Sequence, residues 1–360
     1  MRRVARFLGL VAALLASPLA WGGEPDVPDS LDALLLRLER AVLEADATSY
    51  LANIPVDDSW FLTEQRAWFD DVLVKTPVAF DLELADVETI EDEAVGTLVM
   101  RFEVERLKRD IEFPARFRRV DGAWKFAGVR WERPVPDFPV YCLEGGERGA
   151  ESIASIYPDL QAHCEAMLGT TITEPPPVKI FNDMRHLQAS IFLSYEDPLA
   201  GWNEPGESVK LLANRRGQVS GARTVLAHEL GHAATFAMGD HAERMPWWVL
   251  EGTAELCTDD CSNARRRADG MVRAWRDAGQ IAAWSDLEEF GVVPDALMWH
   301  VYTQGLHMIG YITDTYGPEA RNAWLRAMAG GMSIEQATPD VLFCTFETLD
   351  AAWRLTVDGL

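Results

Sequence analysis

Residues 228–232 read His-Glu-Leu-Gly-His, two imidazoles four positions apart with a carboxylate beside the first. On an α-helix this spacing places His228 and His232 on one face, one turn apart, so that both reach a single cation. Glu229 points toward the same rim, where it is suited to take a proton from an attacking water. Two nitrogen ligands next to a general base predict a zinc-dependent hydrolytic site.

The neighbouring residues favour a metal site over a chance match on a solvated helix. Apart from the motif itself, residues 224–236 carry no charged side chain. Such a helix is expected to be buried, and burying two histidines and a glutamate without partners is costly. Burial and motif together therefore argue for a bound metal.

A catalytic zinc needs a third protein ligand, and we expect it on the next helix, at 245–256. Pro246 suits the first helical position. Glu251 and Glu255 lie one turn apart on one face of that helix. A surface helix carrying an ordinary ion pair is the alternative interpretation.

These two segments resemble the gluzincins, the thermolysin-like and aminopeptidase-like zinc peptidases of the MA clan. In that group eighteen residues separate the second histidine from the ligand glutamate, and residues 233–250 give the same interval here. The resemblance covers residues 175–355 and implies that Glu251 binds the metal while Glu255 fixes a ligand histidine through its distal nitrogen. Because Gly252-Thr253 is also similar to the aspzincins, an exchange of roles between Glu251 and Glu255 stays open.

Residues 302–305, Tyr-Thr-Gln-Gly, resemble the Tyr-x-x-Gly helix of the aminopeptidase branch. The resemblance implies that Tyr302 is catalytic and hydrogen-bonds the oxyanion of the tetrahedral intermediate. A tyrosine packed in the core is the alternative. His300 or His307 on the same helix could also serve as the electrophilic group.

Residues 201–205, Gly-Trp-Asn-Glu-Pro, only partly match the Gly-x-Met-Glu-Asn motif with which aminopeptidases hold the substrate's amino terminus. Glu204 is therefore a candidate substrate-binding residue, with a plain loop acid as the alternative. The broken match favours an endopeptidase over an aminopeptidase. We expect the strand at 208–212 to edge the cleft and to pair with an extended peptide.

The sequence patterns around these residues predict an α+β protein. Helical patterns at 30–43 and 60–72 precede alternating runs at 78–84, 96–104, 111–118 and 122–129, which indicate an antiparallel sheet. This order resembles the cone-shaped fold of the nuclear transport factor and SnoaL-like superfamily. We expect a signal peptide at 1–22, this domain at 23–133, a proline-rich linker at 134–140 and a thermolysin-like zinc metallopeptidase domain at 141–360, with a small sheet and a mostly helical lower part.

The first residues predict export. A basic start at Arg2 and Arg3, an apolar run at 7–16 and small residues at Ala20 and Gly22 are typical of a secretory signal cleaved near Gly22. The apolar run is shorter than the roughly 20 residues needed to span a bilayer, and an uncleaved anchor is the alternative. We expect a periplasmic or extracellular protein with no stable membrane insertion after cleavage.

The charge of the chain limits the classes of binding partner, and its cysteine content limits the number of disulfides. A net charge of −24 disfavours nucleic-acid binding and weakly favours basic or neutral substrates. Five cysteines are compatible with one or two disulfides, and the pairs Cys257 with Cys261 and Cys142 with Cys164 are candidates, Cys344 being the fifth. Cys257 and Cys261 lack a second pair of ligands with which to complete a metal site.

The sequence thus predicts an exported zinc peptidase that binds one Zn²⁺ per chain and acts on peptides or proteins. Two other classes stay open. One is a metal-binding protein without turnover, and the other is a small-ligand binder whose N-terminal domain is the functional part. A complete ligand set together with an intact Glu229 argues against a degenerate peptidase.

Overall fold

The computed structural model describes residues 29–359, so the expected signal peptide at 1–22 lies outside the described residues. The first part of the described chain consists of three helices and four strands. Their bounds are α1 Leu31–Leu43, α2 Ala47–Leu51, α3 Ser59–Val74, β1 Ala79–Ile90, β2 Glu93–Val104, β3 Leu107–Val120 and β4 Ala123–Val129.

Polar side chains begin the helices of this first part. The Ser30 hydroxyl accepts a hydrogen bond from Ala33 N at the start of α1, and the Asp58 carboxylate accepts one from Phe61 N at the start of α3. Each side chain thereby satisfies a backbone N–H that has no partner within the helix.

The four strands form one antiparallel sheet in the order β1-β2-β3-β4. In β3, Ile111, Phe113, Ala115 and Phe117 are buried on one face, as the alternation of side chains along a strand requires. This face packs in one apolar core with the buried residues of α1 and α3.

The second part combines a small sheet with many helices. The bounds are β5 Val140–Cys142, α4 Glu147–Leu168, β6 Val178–Phe181, α5 Met184–Ala189, β7 Gly201–Trp202, β8 Val209–Leu212, α6 Ala222–Phe236, α7 Trp247–Cys257, α8 Asp259–Ser262, α9 Ala264–Asp277, α10 Met298–Tyr316, α11 Pro318–Ala329, α12 Ile334–Leu342 and α13 Phe346–Asp358. The α+β class expected from the sequence is confirmed. Within residues 29–359 no helix is long and apolar enough to cross a bilayer.

The small sheet has the order β5-β6-β8-β7, with β7 antiparallel to β8 and the other neighbours parallel. The expectation that residues 208–212 form the free edge is therefore wrong. Residues 201–202 return to pair with Leu211 and Lys210. They cover β8 and become the edge strand beside the candidate site.

Glycines let the site helices approach one another closely. A Cβ on Gly231 of α6 would lie 3.0 Å from Ala254 Cα of α7, and one on Gly252 of α7 would lie 2.5 Å from the Gly305 carbonyl carbon of α10. Real Cβ atoms do not come as close as the second distance, so Gly252 is required where α7 crosses α10. The helix α7 is thus held between α6 and α10.

Buried polar contacts join the two parts of the chain. Glu64 of α3 pairs with Lys179 at 2.6 Å and accepts a hydrogen bond from Ser208 N at 3.1 Å, and it is 6% exposed. Trp68 Nε1 donates to Ala189 O at 3.0 Å. Because a buried carboxylate is costly unless it is paired, these contacts fix how α3 sits against the small sheet.

Candidate metal centre

The two histidines of the motif lie one turn apart on α6 and point the same way. The Nε2 atoms of His228 and His232 are 3.1 Å apart. His232 is 4% exposed, and its Nδ1 is buried without a hydrogen-bond partner. Two imidazole nitrogens that face each other at this distance are suited to share one cation.

Glu251 completes the group from α7. Its Oε2 lies 3.2 Å from His228 Nε2 and 3.4 Å from His232 Nε2, and it has no hydrogen-bond partner although it is buried. These three residues form the group that could hold a metal ion among the described residues.

The spacing of the three atoms fits a zinc ion. Zinc bound to nitrogen and oxygen at about 2.0–2.2 Å in tetrahedral geometry requires ligand atoms about 3.3–3.6 Å apart. The observed separations of 3.1, 3.2 and 3.4 Å are close to those of one triangular face of such a tetrahedron, two of them being slightly shorter. A catalytic zinc with three protein ligands binds water or substrate at a fourth position.

Neighbouring groups orient the ligand atoms. Glu255 Oε1 lies 3.2 Å from His228 Nδ1, an arrangement in which Nδ1–H donates and Nε2 is left to bind the metal. Trp247 Nε1 donates to Glu251 Oε1 at 2.7 Å, so that Oε2 is the oxygen turned toward the histidines. Glu251, not Glu255, contacts both Nε2 atoms, which favours the first of the two role assignments.

Glu229 is buried beside the ligands, with 4% of its surface exposed. Its Oε1 would lie 2.4 Å from a Cβ on Gly201, so the edge strand β7 passes directly over this carboxylate. Burial raises the pKa of Glu229, against the opposing effect of the His228 and His232 imidazoles. A raised pKa suits a group that first accepts a proton and then gives it up.

Tyr302 lies on α10 next to the metal group. Its ring centroid is 6.1 Å from that of His228 and 6.1 Å from that of Trp247. Burial raises the pKa of Tyr302 well above its usual value, and the nearby Glu251 carboxylate contributes less to the same shift. The phenol therefore stays protonated at neutral pH, as a hydrogen-bond donor must.

The alternatives to Tyr302 are engaged elsewhere. His300 stacks on Trp275 with centroids 3.8 Å apart and lies 3.0 Å from Gln280 O through Nε2. His307 Nδ1 accepts a hydrogen bond from Trp353 Nε1 at 2.8 Å. These contacts hold both histidines in the core.

A groove of about 960 Å³ runs between α3 and the second part of the chain, and its lining includes Trp247 and Leu250 of α7, the helix that carries Glu251, but no member of the metal group. Glu204 lines this groove and is not part of the metal group. The charged residues of the lining are mostly acidic: Asp70, Asp71, Glu204, Glu207, Glu243, Glu288 and Glu289, with Arg66 and Arg244.

Two residues near the metal group were not anticipated from the sequence. Trp247 precedes Glu251 by four positions, and this one-turn spacing was a usable signal for their contact. Tyr195 lies in the loop between α5 and β7. Burial raises its pKa to about 12, and the negative charges of Asp197 and Glu251 contribute less to the same shift. No local pattern marks a loop residue that reaches the site only through the tertiary fold.

The helix start and the cysteines differ from expectation. Pro246 is the residue before the first turn of α7, whose first helical residue is Trp247. All five cysteines are free thiols in the structure, and neither candidate pair is bonded. Instead, Cys164 of α4 lies near Cys257 at the end of α7, since the Nε2 atom of His163, the residue before Cys164, is 3.1 Å from Cys257 O.

Comparison with known proteins adds little to this geometry. No protein-family model matches the chain, and no curated protein matches it. A solved structure that is similar to part of the chain is that of Rv3472, a protein of unknown function from Mycobacterium tuberculosis. That match has 20% identity and a TM-score of 0.23, and it covers 30% of this chain and 72% of that one. At this level it assigns neither a family nor a function.

Proposed function

We propose that the protein is an exported zinc-dependent peptidase of the gluzincin type, with endopeptidase activity favoured. The observation that carries the proposal is the triangle formed by His228 Nε2, His232 Nε2 and Glu251 Oε2, whose sides are 3.1, 3.2 and 3.4 Å. Glu229 lies buried beside that triangle. Ligand atoms at the spacing of a tetrahedral face, next to a carboxylate with a raised pKa, are the components of metal-assisted hydrolysis.

A zinc ion at this position would polarise the substrate carbonyl and lower the pKa of a water to about 7. Side chains of the protein would transfer the proton, stabilise the oxyanion and orient a metal ligand. Glu229 accepts a proton from the attacking water and transfers it to the leaving amine. The Tyr302 hydroxyl donates to the developing oxyanion. Glu255 holds His228 in the tautomer whose Nε2 is free to act as a ligand.

The edge strand β7 offers a place for an extended peptide. Gly201 lies over Glu229, so a peptide that pairs with this edge by strand addition would pass close to the general base. The groove beyond it is open along α3 and is large enough for several substrate residues. An open groove on this side favours cleavage within a chain, and its excess of carboxylates favours basic peptides.

The test compares zinc content and cleavage of a mixed peptide library for the purified wild type, Glu229→Gln and Glu151→Gln. Glu151 is an exposed residue of α4 and serves as the matched control. We expect one zinc per chain in all three proteins and cleavage by the wild type and the control. Loss of the general base should slow cleavage by about 10²–10⁴-fold. Cleavage by Glu229→Gln at the wild-type rate would overturn the mechanism.

A second function is favoured by a cavity between the first part of the chain and the small sheet. The cavity has a volume of about 490 Å³, and its lining includes Trp68 and Phe113 of the first part and Phe181 of the second. That size lies in the range of small-molecule sites, about 300–1,000 Å³. In this alternative the N-terminal part binds a small apolar ligand. Ligands that raise the melting temperature of the wild type, but not that of a variant with the cavity filled at Ala127→Trp, would support it.

A further inference from the structure

Two buried thiols lie directly behind the helix that carries the histidines. Cys164 Sγ is 3.5 Å from Ala227 O, and Cys257 Sγ is 3.2 Å from the position that a Cβ on Gly231 would occupy. Ala227 and Gly231 are one turn apart on the same face of α6. The two sulfurs therefore lie against adjacent turns of one helix face.

The two cysteines also lie close to each other. The Nε2 atom of His163, the residue before Cys164, is 3.1 Å from Cys257 O, and both cysteines are 0% exposed. The neighbouring Cys257 thiol and burial together raise the pKa of the Cys164 thiol far above its usual value. The absence of a side chain on Gly231 leaves room for Cys257 between α6 and α4.

We infer that Cys164 and Cys257 form a disulfide bond when the protein folds in an oxidising environment, linking α4 to the end of α7. The bond forms by thiol–disulfide exchange with a small-molecule or protein disulfide. The first thiolate attacks that disulfide to give a mixed disulfide and releases one thiol. The second thiolate then displaces the other thiol. The two cysteines lose two protons and two electrons, and the oxidant becomes two thiols.

The bond would anchor the helix that supplies Glu251. Cys257 lies two residues after Glu255 and six after Glu251, so a link to α4 holds the end of α7 against α6. The inference does not depend on peptidase activity, because the contact involves neither Glu229 nor the groove.

The sequence separation makes the bond strongly stabilising. The two cysteines are 93 positions apart, and closing a loop of this length lowers the entropy of the unfolded chain. For such a loop the equilibrium constant for unfolding is expected to fall on the order of a thousandfold. Because both sulfurs are buried, reductants should reach the bond only after unfolding.

The test is disulfide mapping of the full chain refolded in glutathione disulfide and glutathione. Free thiols are blocked with N-ethylmaleimide in denaturant, and unreduced peptides are identified by mass. We expect Cys142, Cys261 and Cys344 to be blocked and the peptides of Cys164 and Cys257 to be linked. Blocking of all five thiols, or a bond that joins Cys257 to Cys261, would overturn the inference.

Variants and reduction give a second readout. Cys257→Ala should leave Cys164 open to blocking and lower the urea midpoint, whereas Cys142→Ala should keep the bond and serve as the control for a buried cysteine. In the wild type, dithiothreitol should open the bond in urea and leave it intact in buffer. Reduction of the disulfide at equal rates in urea and in buffer would contradict a bond at this buried position. If the variants do not fold, the wild-type mapping decides alone.

Discussion

Replacing Trp247 with phenylalanine should weaken zinc binding without removing a ligand. Trp247 Nε1 donates to Glu251 Oε1 at 2.7 Å, and both side chains are buried. Phenylalanine keeps the aromatic packing against Phe290 but leaves that carboxylate oxygen without its donor. The carboxylate is then no longer fixed with Oε2 toward the histidines.

The size of the effect follows from the kind of bond that is lost. A hydrogen bond to a charged group contributes about 1.5–3 kcal/mol, and about 1.4 kcal/mol corresponds to a tenfold change in affinity. The dissociation constant for zinc should therefore rise by about tenfold to 150-fold. This range agrees with the 10–100-fold loss typical when a group that orients a metal ligand is removed.

The neighbouring tryptophan provides a matched control. Trp248 is fully buried among Trp284 and Trp324, and its Nε1 has no hydrogen-bond partner. Trp248→Phe should lower thermal stability by loss of packing and leave zinc affinity unchanged. The assay is competition for zinc with a chromophoric chelator, alongside thermal unfolding. Equal zinc affinity of Trp247→Phe and wild type, or an equal loss in Trp248→Phe, would refute the reasoning.

Three further predictions address other contacts. Glu64→Gln should destabilise the protein by about 3–5 kcal/mol because it leaves Lys179, whose side chain is only 11% exposed, without its partner. Glu83→Gln at an exposed pair should cost less than about 1 kcal/mol, and urea unfolding measures both changes. Burial alone would raise the pKa of Glu64, but Lys179 holds that pKa below its ordinary 4.5. The stability that the Glu64 carboxylate contributes is therefore present above pH 4.5 and is lost as the pH falls through the lower pKa of the folded state. A stability difference between wild type and variant that grows on acidification would contradict this prediction. Tyr302→Phe should lower kcat by about 10²–10³-fold with zinc content unchanged, and an unchanged kcat would remove Tyr302 from the mechanism. Glu289→Gln should lower kcat/KM for peptides rich in lysine by about threefold at low salt and leave neutral peptides unaffected, and an equal effect on both would argue against charge recognition in the groove.

Local sequence patterns were sufficient to predict the two helices that carry the metal group and the residues that share one face of each. The spacing of His228 and His232 is a property of one helix, and so is the spacing of Glu251 and Glu255. The interval between the two segments was informative only through the gluzincin resemblance, because no local rule says how two helices pack. The structure brings Glu251 Oε2 within 3.4 Å of both histidine Nε2 atoms.

Features that depend on long-range packing could not be derived in the same way. The edge of the small sheet is β7, a pair of residues too short to show any alternation. Cys164 and Cys257 are neighbours in space although they are 93 positions apart in the sequence, whereas spacing alone drew attention to nearer pairs. The burial of Glu64 depends on a lysine from the other part of the chain, which no local pattern reveals.

The most direct test of the central claim is anomalous diffraction at the zinc edge from crystals of the purified protein. We expect one strong peak per chain, at about 2.0–2.2 Å from His228 Nε2, His232 Nε2 and a Glu251 oxygen. The absence of a peak at these residues, or zinc bound elsewhere in the chain, would contradict it.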